Sequence, residues 1–208
     1  MRIDLFSTPI RSIDNRVDNS QLHHIVGAVE QYKQKIIDDP RFDRVRGFHR
    51  PLMTNNIIEN VCDHVSELKW ILSAIDSDVQ RYASELVGAS TARATVSHAW
   101  LAYQGSGHYV QRHNHTFVTG PNGAVDVMHI NAIFYIQATD QDTLHLYYPH
   151  QNMVLTAGVR SVSGMVAHAV VCKTNRLVMI PSWMDHSVDA RPREQEKIAF
   201  SINYKVTV

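Results

Sequence analysis

The stretch from Leu177 to Asn203 constrains the fold more than any other part of the chain. Leu177-Val-Met-Ile180 is a short apolar run closed by Pro181. It reads as a buried strand ending in a bend, because proline has no backbone donor to continue a ladder. Trp183-Met-Asp-His186 follows, then a polar turn, and Lys197-Ile-Ala-Phe-Ser-Ile-Asn203 returns as a second strand. A histidine presented at a strand end can face an opening, and a cation on the returning strand can face the same cavity. His186 and Lys197 are therefore expected to form half of one site.

The texture upstream supports a β-rich body. Ala92–Tyr103 alternates and is rich in strand formers, and Gly105-Ser-Gly107 turns it. Further strands are expected at His108–Arg112, His129–Gln137, Thr143–Tyr148, Ser163–Val171, Leu177–Ile180 and Ile198–Val206. Before residue 91 the pattern is helical, apart from Ile3–Ile10, which reads as a short strand ended by proline. Leu22, Ile25, Val26, Val29, Tyr32, Ile36 and Ile37 keep helical spacing, with Asn19 or Ser20 as N-cap and Asp38-Asp-Pro40 as the stop. A second helix is expected over Asn55–Asp76 and a shorter third over Ser77–Leu86, ended by Gly88. Many short strands after a helical start imply a mainly β fold, a β-barrel or jelly roll carrying packed N-terminal helices. No repeat or linker divides the chain. One domain over 1–208 is expected, with 1–90 helical and 91–208 forming the β core.

Composition removes several function classes. Lys plus Arg number 20 and Asp plus Glu number 20, so the formal charge is zero. That balance gives no support for nucleic acid or an anionic membrane as partner, since phosphate binding needs a clustered basic excess. Cys62 and Cys172 lack a C-x-x-C spacing and read as buried free thiols. With no signal-like apolar segment at the start and no run of about 18 apolar residues, a reducing cytoplasm is the expected compartment. The apolar helices permit a homodimer.

Histidine is the compositional oddity, 13 in all. His23 and His24 are adjacent on a helix, where neighbours diverge by about 100° and chelate poorly. His113 and His115 differ. In an extended strand residues i and i+2 share a face, so the two imidazoles of His113-Asn-His115 can converge on one metal ion. A distant histidine from a neighbouring strand would complete three ligands on one face of an octahedron. Non-haem Fe(II) sites follow that logic, usually with two histidines and one carboxylate.

H-x-H at 113–115, an apolar strand ending near Tyr135, Pro181 followed by His186, and a cation at Lys197 occur in that order. In this sequence of pieces the chain resembles the Fe(II)/2-oxoglutarate-dependent dioxygenases, particularly a compact bacterial and phage branch. Ile3–Ile10, Gly47-Phe-His-Arg50, Trp100, Ile133–Ile136 and Leu144–Pro149 add to the likeness, and the block from Leu177 to Asn203 is its most specific part. The resemblance implies a double-stranded β-helix of cupin-like form. It makes His113 and His186 iron ligands and puts His115 where the family commonly has Asp or Glu. Lys197 stands where a basic residue, usually Arg, pairs with the far carboxylate of 2-oxoglutarate, with Ser201 and Tyr135 as candidate donors to it. The implied activity is hydroxylation by O2 of an unidentified prime substrate, with 2-oxoglutarate going to succinate and CO2.

Two departures from the family pattern leave alternatives open. The third ligand is either His115 or a carboxylate such as Asp126, with His129 another nearby candidate. Lys197 cannot form the planar two-point fork of an arginine. The segment Thr119–Ala124 is either a lid or a surface turn. The alternative functions are a three-histidine cupin-type enzyme that uses no 2-oxoglutarate, such as a thiol dioxygenase, and a non-catalytic jelly-roll binding module.

Overall fold

The structure, a computed structural model, describes residues 8–39, 51–54, 60–119, 125–147, 167–190, 192 and 194–208. In chain order the elements are β1 (Arg11–Asp14), α1 (Asn19–Ile37), β2 (Leu52–Met53), a 3-10 turn (Val61–Asp63), α2 (Leu68–Val87), β3 (Arg93–Gln104) and β4 (Val110–His113). They continue as β5 (Phe117–Thr119), β6 (Val125–Val127), β7 (Ile130–Gln137), β8 (Thr143–Tyr147), β9 (Ala167–Val171), β10 (Arg176–Pro181), β11 (His186–Val188) and β12 (Lys197–Thr207). A six-stranded sheet in the order β1-β10-β7-β12-β3-β2 faces a four-stranded sheet, β4-β11-β8-β9, and β5-β6 form a separate ribbon. All strand pairs in both sheets are antiparallel. This is the expected mainly β jelly roll with N-terminal helices packed on it. Among the described residues no helix is long and apolar enough to cross a membrane.

The helices differ from the sequence expectation in instructive ways. Asp18, rather than Asn19 or Ser20, caps α1: it is extended at φ −68°, ψ 157°, and its carboxylate accepts from the Gln21 N–H at 2.9 Å. Such a cap contributes about 1 kcal/mol. The expected helices over Asn55–Asp76 and Ser77–Leu86 are replaced by a short 3-10 turn and one continuous helix, α2. Residues 55–59 lie outside the described residues. The Asn60 side chain accepts from the Cys62 N–H at 3.0 Å, and Asn60 bridges to Ala99 of β3, which ties this segment to the sheet. Nothing at Asp76-Ser77 breaks a helix, and Gln80 donates to Asp76 one turn back at 3.1 Å. Gly88, at φ 69°, supplies the left-handed stop that the sequence suggested. The strand expected over Ile3–Ile10 falls mostly outside the described residues; among those described, the first strand begins at Arg11.

Strand alternation builds two interiors. Ile198, Phe200, Ile202 and Tyr204 of β12 join Leu101 and Tyr103 of β3 and Phe134 and Ile136 of β7 against Ile25, Val29, Ile71, Ile75 and Val79 of the helices. The opposite face of the same strands looks into the space between the sheets. There Ile133, Tyr135, Val178, Ile180 and Ala199 meet Leu144, Leu146, Val170, Cys172 and Val188. Cys62 and Cys172 are buried free thiols. On β12 the residues sharing the inner face with Ala199 are Lys197, Ser201 and Asn203, all buried. Antiparallel partners point the same way, so Trp100, Ala102 and Gln104 of β3 line that face too.

Candidate metal centre

Three histidines meet between the two sheets, His115 and His186 buried and His113 half-buried. His113 ends β4 and His186 begins β11, and the two are direct partners in the β4/β11 ladder. Their ring centroids lie 4.3 Å apart. His115 follows two residues after His113, its backbone N–H donating to Ser182 O at 2.8 Å just beyond β10. Its ring centroid is 5.0 Å from that of His113 and 4.9 Å from that of His186. One ring nitrogen from each of the three lies within 4.8 Å of the others.

The outward nitrogens are held by carbonyl oxygens. His113 Nδ1 is 2.8 Å from Gln111 O, and His186 Nδ1 is 3.1 Å from Met184 O. His115 Nδ1 lies 3.0 Å from Asn203 Oδ1 and 2.9 Å from Asn131 Nδ2, and Asn131 Nδ2 donates to Asn203 Oδ1 at 3.0 Å. Asn131 Oδ1 and Asn203 Nδ2 have no partner among the described residues. Exchanging oxygen and nitrogen in both amides produces the matching network, so in either arrangement an amide oxygen stands within reach of an Nδ1 proton. With Nδ1 protonated, the Nε2 lone pair of each ring is free for a cation.

Spacing and charge suit that use. Nε2 of His113 and Nε2 of His115 are 3.0 Å apart. Two ligands at a right angle with metal–nitrogen bonds of about 2.1 Å would stand about 3 Å apart. Burial, and then the neighbouring His113, push the His115 imidazole down to about 4, with the Asn203 bond opposing. Burial, then His115 and His113, hold His186 well below its ordinary value. Both rings are neutral at neutral pH, the form that coordinates.

Asp185 holds the pieces in register. Its carboxylate accepts from Arg112 Nε at 2.8 Å and from Asn114 Nδ2 at 2.9 Å, so the residue before His186 grips both neighbours of His113. Those bonds, Asn114's first, lower its pKa. Trp100 covers His115, with ring centroids 5.3 Å apart.

Further in, Lys197 is 1% exposed, a buried lysine on the inner face rather than a solvated one. Glu196 beside it is paired with Lys33 at 2.5 Å. The Lys197 Nζ lies 5.8 Å from the centroid of the Tyr135 ring, and Ser201 sits on the same face of β12. Burial, then the neighbouring Cys172, push the Tyr135 phenol well above its ordinary range. The other candidates lie elsewhere. Asp126 pairs with Lys205 at 2.9 Å on the β6 ribbon, and His129 Nδ1 accepts from the Val206 N–H at 3.0 Å. Trp183 is exposed, while His145 bonds Asp189 at 2.7 Å. His150, Gly47–Arg50 and most of the Thr119–Ala124 segment fall outside the described residues.

Sequence reasoning missed Asn131, Asn203, Asp185 and Gln104. Asn203 was within reach, because it follows Ser201 at the two-residue period of a strand face. The others gain their meaning only from pairing between distant segments.

The fold is that of solved 2-oxoglutarate/iron(II) oxygenase structures. HygX from Streptomyces hygroscopicus with nickel and 2-oxoglutarate bound superposes at a TM-score of 0.61 and 10% identity, over 95% of this chain and 82% of that one. A prolyl hydroxylase from Trichoplax adhaerens, in complex with a hypoxia inducible factor oxygen degradation domain peptide, gives 0.63 and 17% identity over 94% and 82%. The viral collagen prolyl hydroxylase of Paramecium Bursaria Chlorella virus-1, as its 2-oxoglutarate complex, gives 0.56 and 9% over 94% of each chain. No protein-family model matches the chain, and neither does any curated protein sequence.

Proposed function

We propose that this chain is a non-haem Fe(II)/2-oxoglutarate-dependent oxygenase, with His113, His115 and His186 as the iron ligands. The observation that carries the reading is the convergence of three imidazoles between the two sheets, on the side to which β12 also turns a buried lysine. Within the reading, Lys197 neutralises the far carboxylate of 2-oxoglutarate, and Ser201 and Tyr135 donate hydrogen bonds to the cosubstrate. Iron with 2-oxoglutarate and O2 would supply the oxidising power, releasing succinate and CO2 while an unactivated C–H bond is hydroxylated. The chain's own residues do the rest. Carbonyl oxygens at Gln111 and Met184 and the Asn131–Asn203 amide pair hold the Nδ1 protons and aim the lone pairs. Trp100 and the apolar lining of Ile133, Leu144 and Ala199 exclude water, which strengthens charge pairing inside the chamber.

The chain is read as one such domain over 1–208, acting on a small or peptide-borne substrate in a reducing cytoplasm. Purified protein given Fe(II) should release succinate from 2-oxoglutarate slowly even without prime substrate. Lys197→Glu should weaken 2-oxoglutarate binding at least about a hundredfold while iron binding persists, since truncating a buried charge pair costs about 3–5 kcal/mol. Unaltered 2-oxoglutarate affinity in that variant would remove Lys197 from the site. The third imidazole where a carboxylate is usual favours one rival, a three-histidine oxygenase that uses no 2-oxoglutarate. That rival predicts iron binding without any response to 2-oxoglutarate.

A further inference from the structure

Among the buried polar groups one donor stands beside Lys197 with nothing to donate to. Gln104 is 2% exposed, and its Nε2 has no hydrogen-bond partner among the described residues. It closes β3 directly opposite Lys197 in the β3/β12 ladder. Directly opposed residues of an antiparallel pair project from the same face with Cβ atoms about 5 Å apart. The face is fixed independently. Tyr103 turns outward, its hydroxyl donating to Val29 O of α1 at 2.7 Å, so Gln104 turns inward. On the other side of β12, Tyr135 of β7 pairs with Ala199, and its hydroxyl meets no oxygen or nitrogen acceptor among the described residues. Two inward donors from the two flanking strands therefore bracket one ammonium.

We infer that Gln104 is a binding residue for the far carboxylate of the 2-oxoacid, its amide N–H supplying the second point of contact that a lysine cannot. An arginine offers a carboxylate two parallel N–H groups on one rigid plane, whereas an ammonium offers one compact charge. Gln104 and Lys197 together rebuild the two-point grip from neighbouring strands. The inference rests on the 2-oxoglutarate reading above, and it predicts selectivity for dicarboxylic over monocarboxylic 2-oxoacids.

The test is calorimetric titration of Fe(II)-loaded protein, under exclusion of oxygen, with 2-oxoglutarate and with 2-oxobutanoate, which lacks the far carboxylate. Gln104→Leu should weaken 2-oxoglutarate about ten- to a hundredfold, the range for a hydrogen bond to a charged group. It should leave 2-oxobutanoate within about twofold, because that ligand never made the lost contact. Gln104→Asn keeps an amide one methylene short and should fall between wild type and Gln104→Leu; Gln104→Glu should lose more than either. Iron content and thermal melting of each variant report folding. If Gln104→Leu does not fold, the comparison of Gln104→Asn with Gln104→Glu decides, and equal affinities there overturn the inference. Wild-type affinity for 2-oxoglutarate in Gln104→Leu, or equal losses for both ligands, also overturns it. Should wild type bind iron but not 2-oxoglutarate, the reading beneath fails and the inference with it. Should Lys197→Met alone lose 2-oxoglutarate, only the inference fails.

Discussion

The two faces of β12 are built from the same backbone and do opposite work. Toward the helices it presents Ile198, Phe200 and Ile202, each fully buried among aliphatic and aromatic neighbours. Toward the second sheet it presents Lys197, Ala199, Ser201 and Asn203, equally buried but mostly polar. The outer interior can lower the free energy of folding with every side chain, at about 25 cal/mol per Å² of apolar surface removed from water. The inner one retains amides of Gln104, Asn131 and Asn203 with an atom that meets no partner among the described residues, an arrangement that lowers stability and leaves donors for a ligand. A strand with one face of each kind lets the outer core hold rigid what the inner face must position.

The contrast can be broken from either side. The largest effect should come from Phe200→Ala, which deletes a wholly buried ring from the outer core and should cost about 3–5 kcal/mol in denaturant unfolding. The folded fraction should still bind iron; loss of metal from well-folded Phe200→Ala protein would mean the two faces are not separable. Next in size, Asn203→Leu breaks the amide pair that orients His115, and iron affinity should fall about 10- to 100-fold, with about 1–3 kcal/mol of stability lost where Asn131 is left without its partner. Asn203→Asp should retain affinity, because a carboxylate accepts the same Nδ1 proton. Matching affinities in wild type and Asn203→Leu would show that the amide pair does not aim the ring.

Smaller effects sharpen the comparison. Tyr135→Phe removes a buried hydroxyl that meets no oxygen or nitrogen acceptor among the described residues, so the metal-free protein should change by less than about 1 kcal/mol, or gain. A loss above that would assign the hydroxyl a partner within the fold. The smallest effect lies at the sheet edge. Asp14 accepts from Arg176 at 2.5 and 2.8 Å, and that bond lowers the Asp14 pKa below its ordinary 3.8. A depressed folded value means that the contribution is complete above the unfolded pKa and is lost as pH falls from about 4 through the lower folded value. The Asp14 side chain is 46% exposed and that of Arg176 15%, and solvent screening at the carboxylate keeps the contribution to about 1 kcal/mol. Comparing wild type with Asp14→Asn in unfolding at pH 6 and pH 2.5 should show a smaller difference at the lower pH.

The sequence disclosed these faces unevenly. The two-residue period placed His113 and His115 together and made Leu177–Ile180 a buried strand, because alternation and apolar runs are local signals. The end of α2 was legible in Gly88 for the same reason. The start of α2 was not: helical spacing of Val61, Val65 and Leu68 extends back past Asn60, but the Asn60 side chain and its bridge to Ala99 override that spacing. The ribbon of β5 and β6 was invisible because three-residue strands carry almost no periodicity. Asp126 was the alternative third ligand because a carboxylate is usual at that place, yet it pairs with Lys205. Gln104 and Asn131 carry no local mark at all. Their roles come from register, which the sequence of one strand does not state.

The account stands on three imidazoles acting as one metal site, and metal stoichiometry tests that most directly. Protein reconstituted with Fe(II) without oxygen and then desalted should carry one iron per chain. His113→Ala, His115→Ala and His186→Ala should each retain little or none while melting as cooperatively as wild-type apo protein. Full iron in His115→Ala alone would make the site two-histidine, and full iron in all three variants would contradict the account outright.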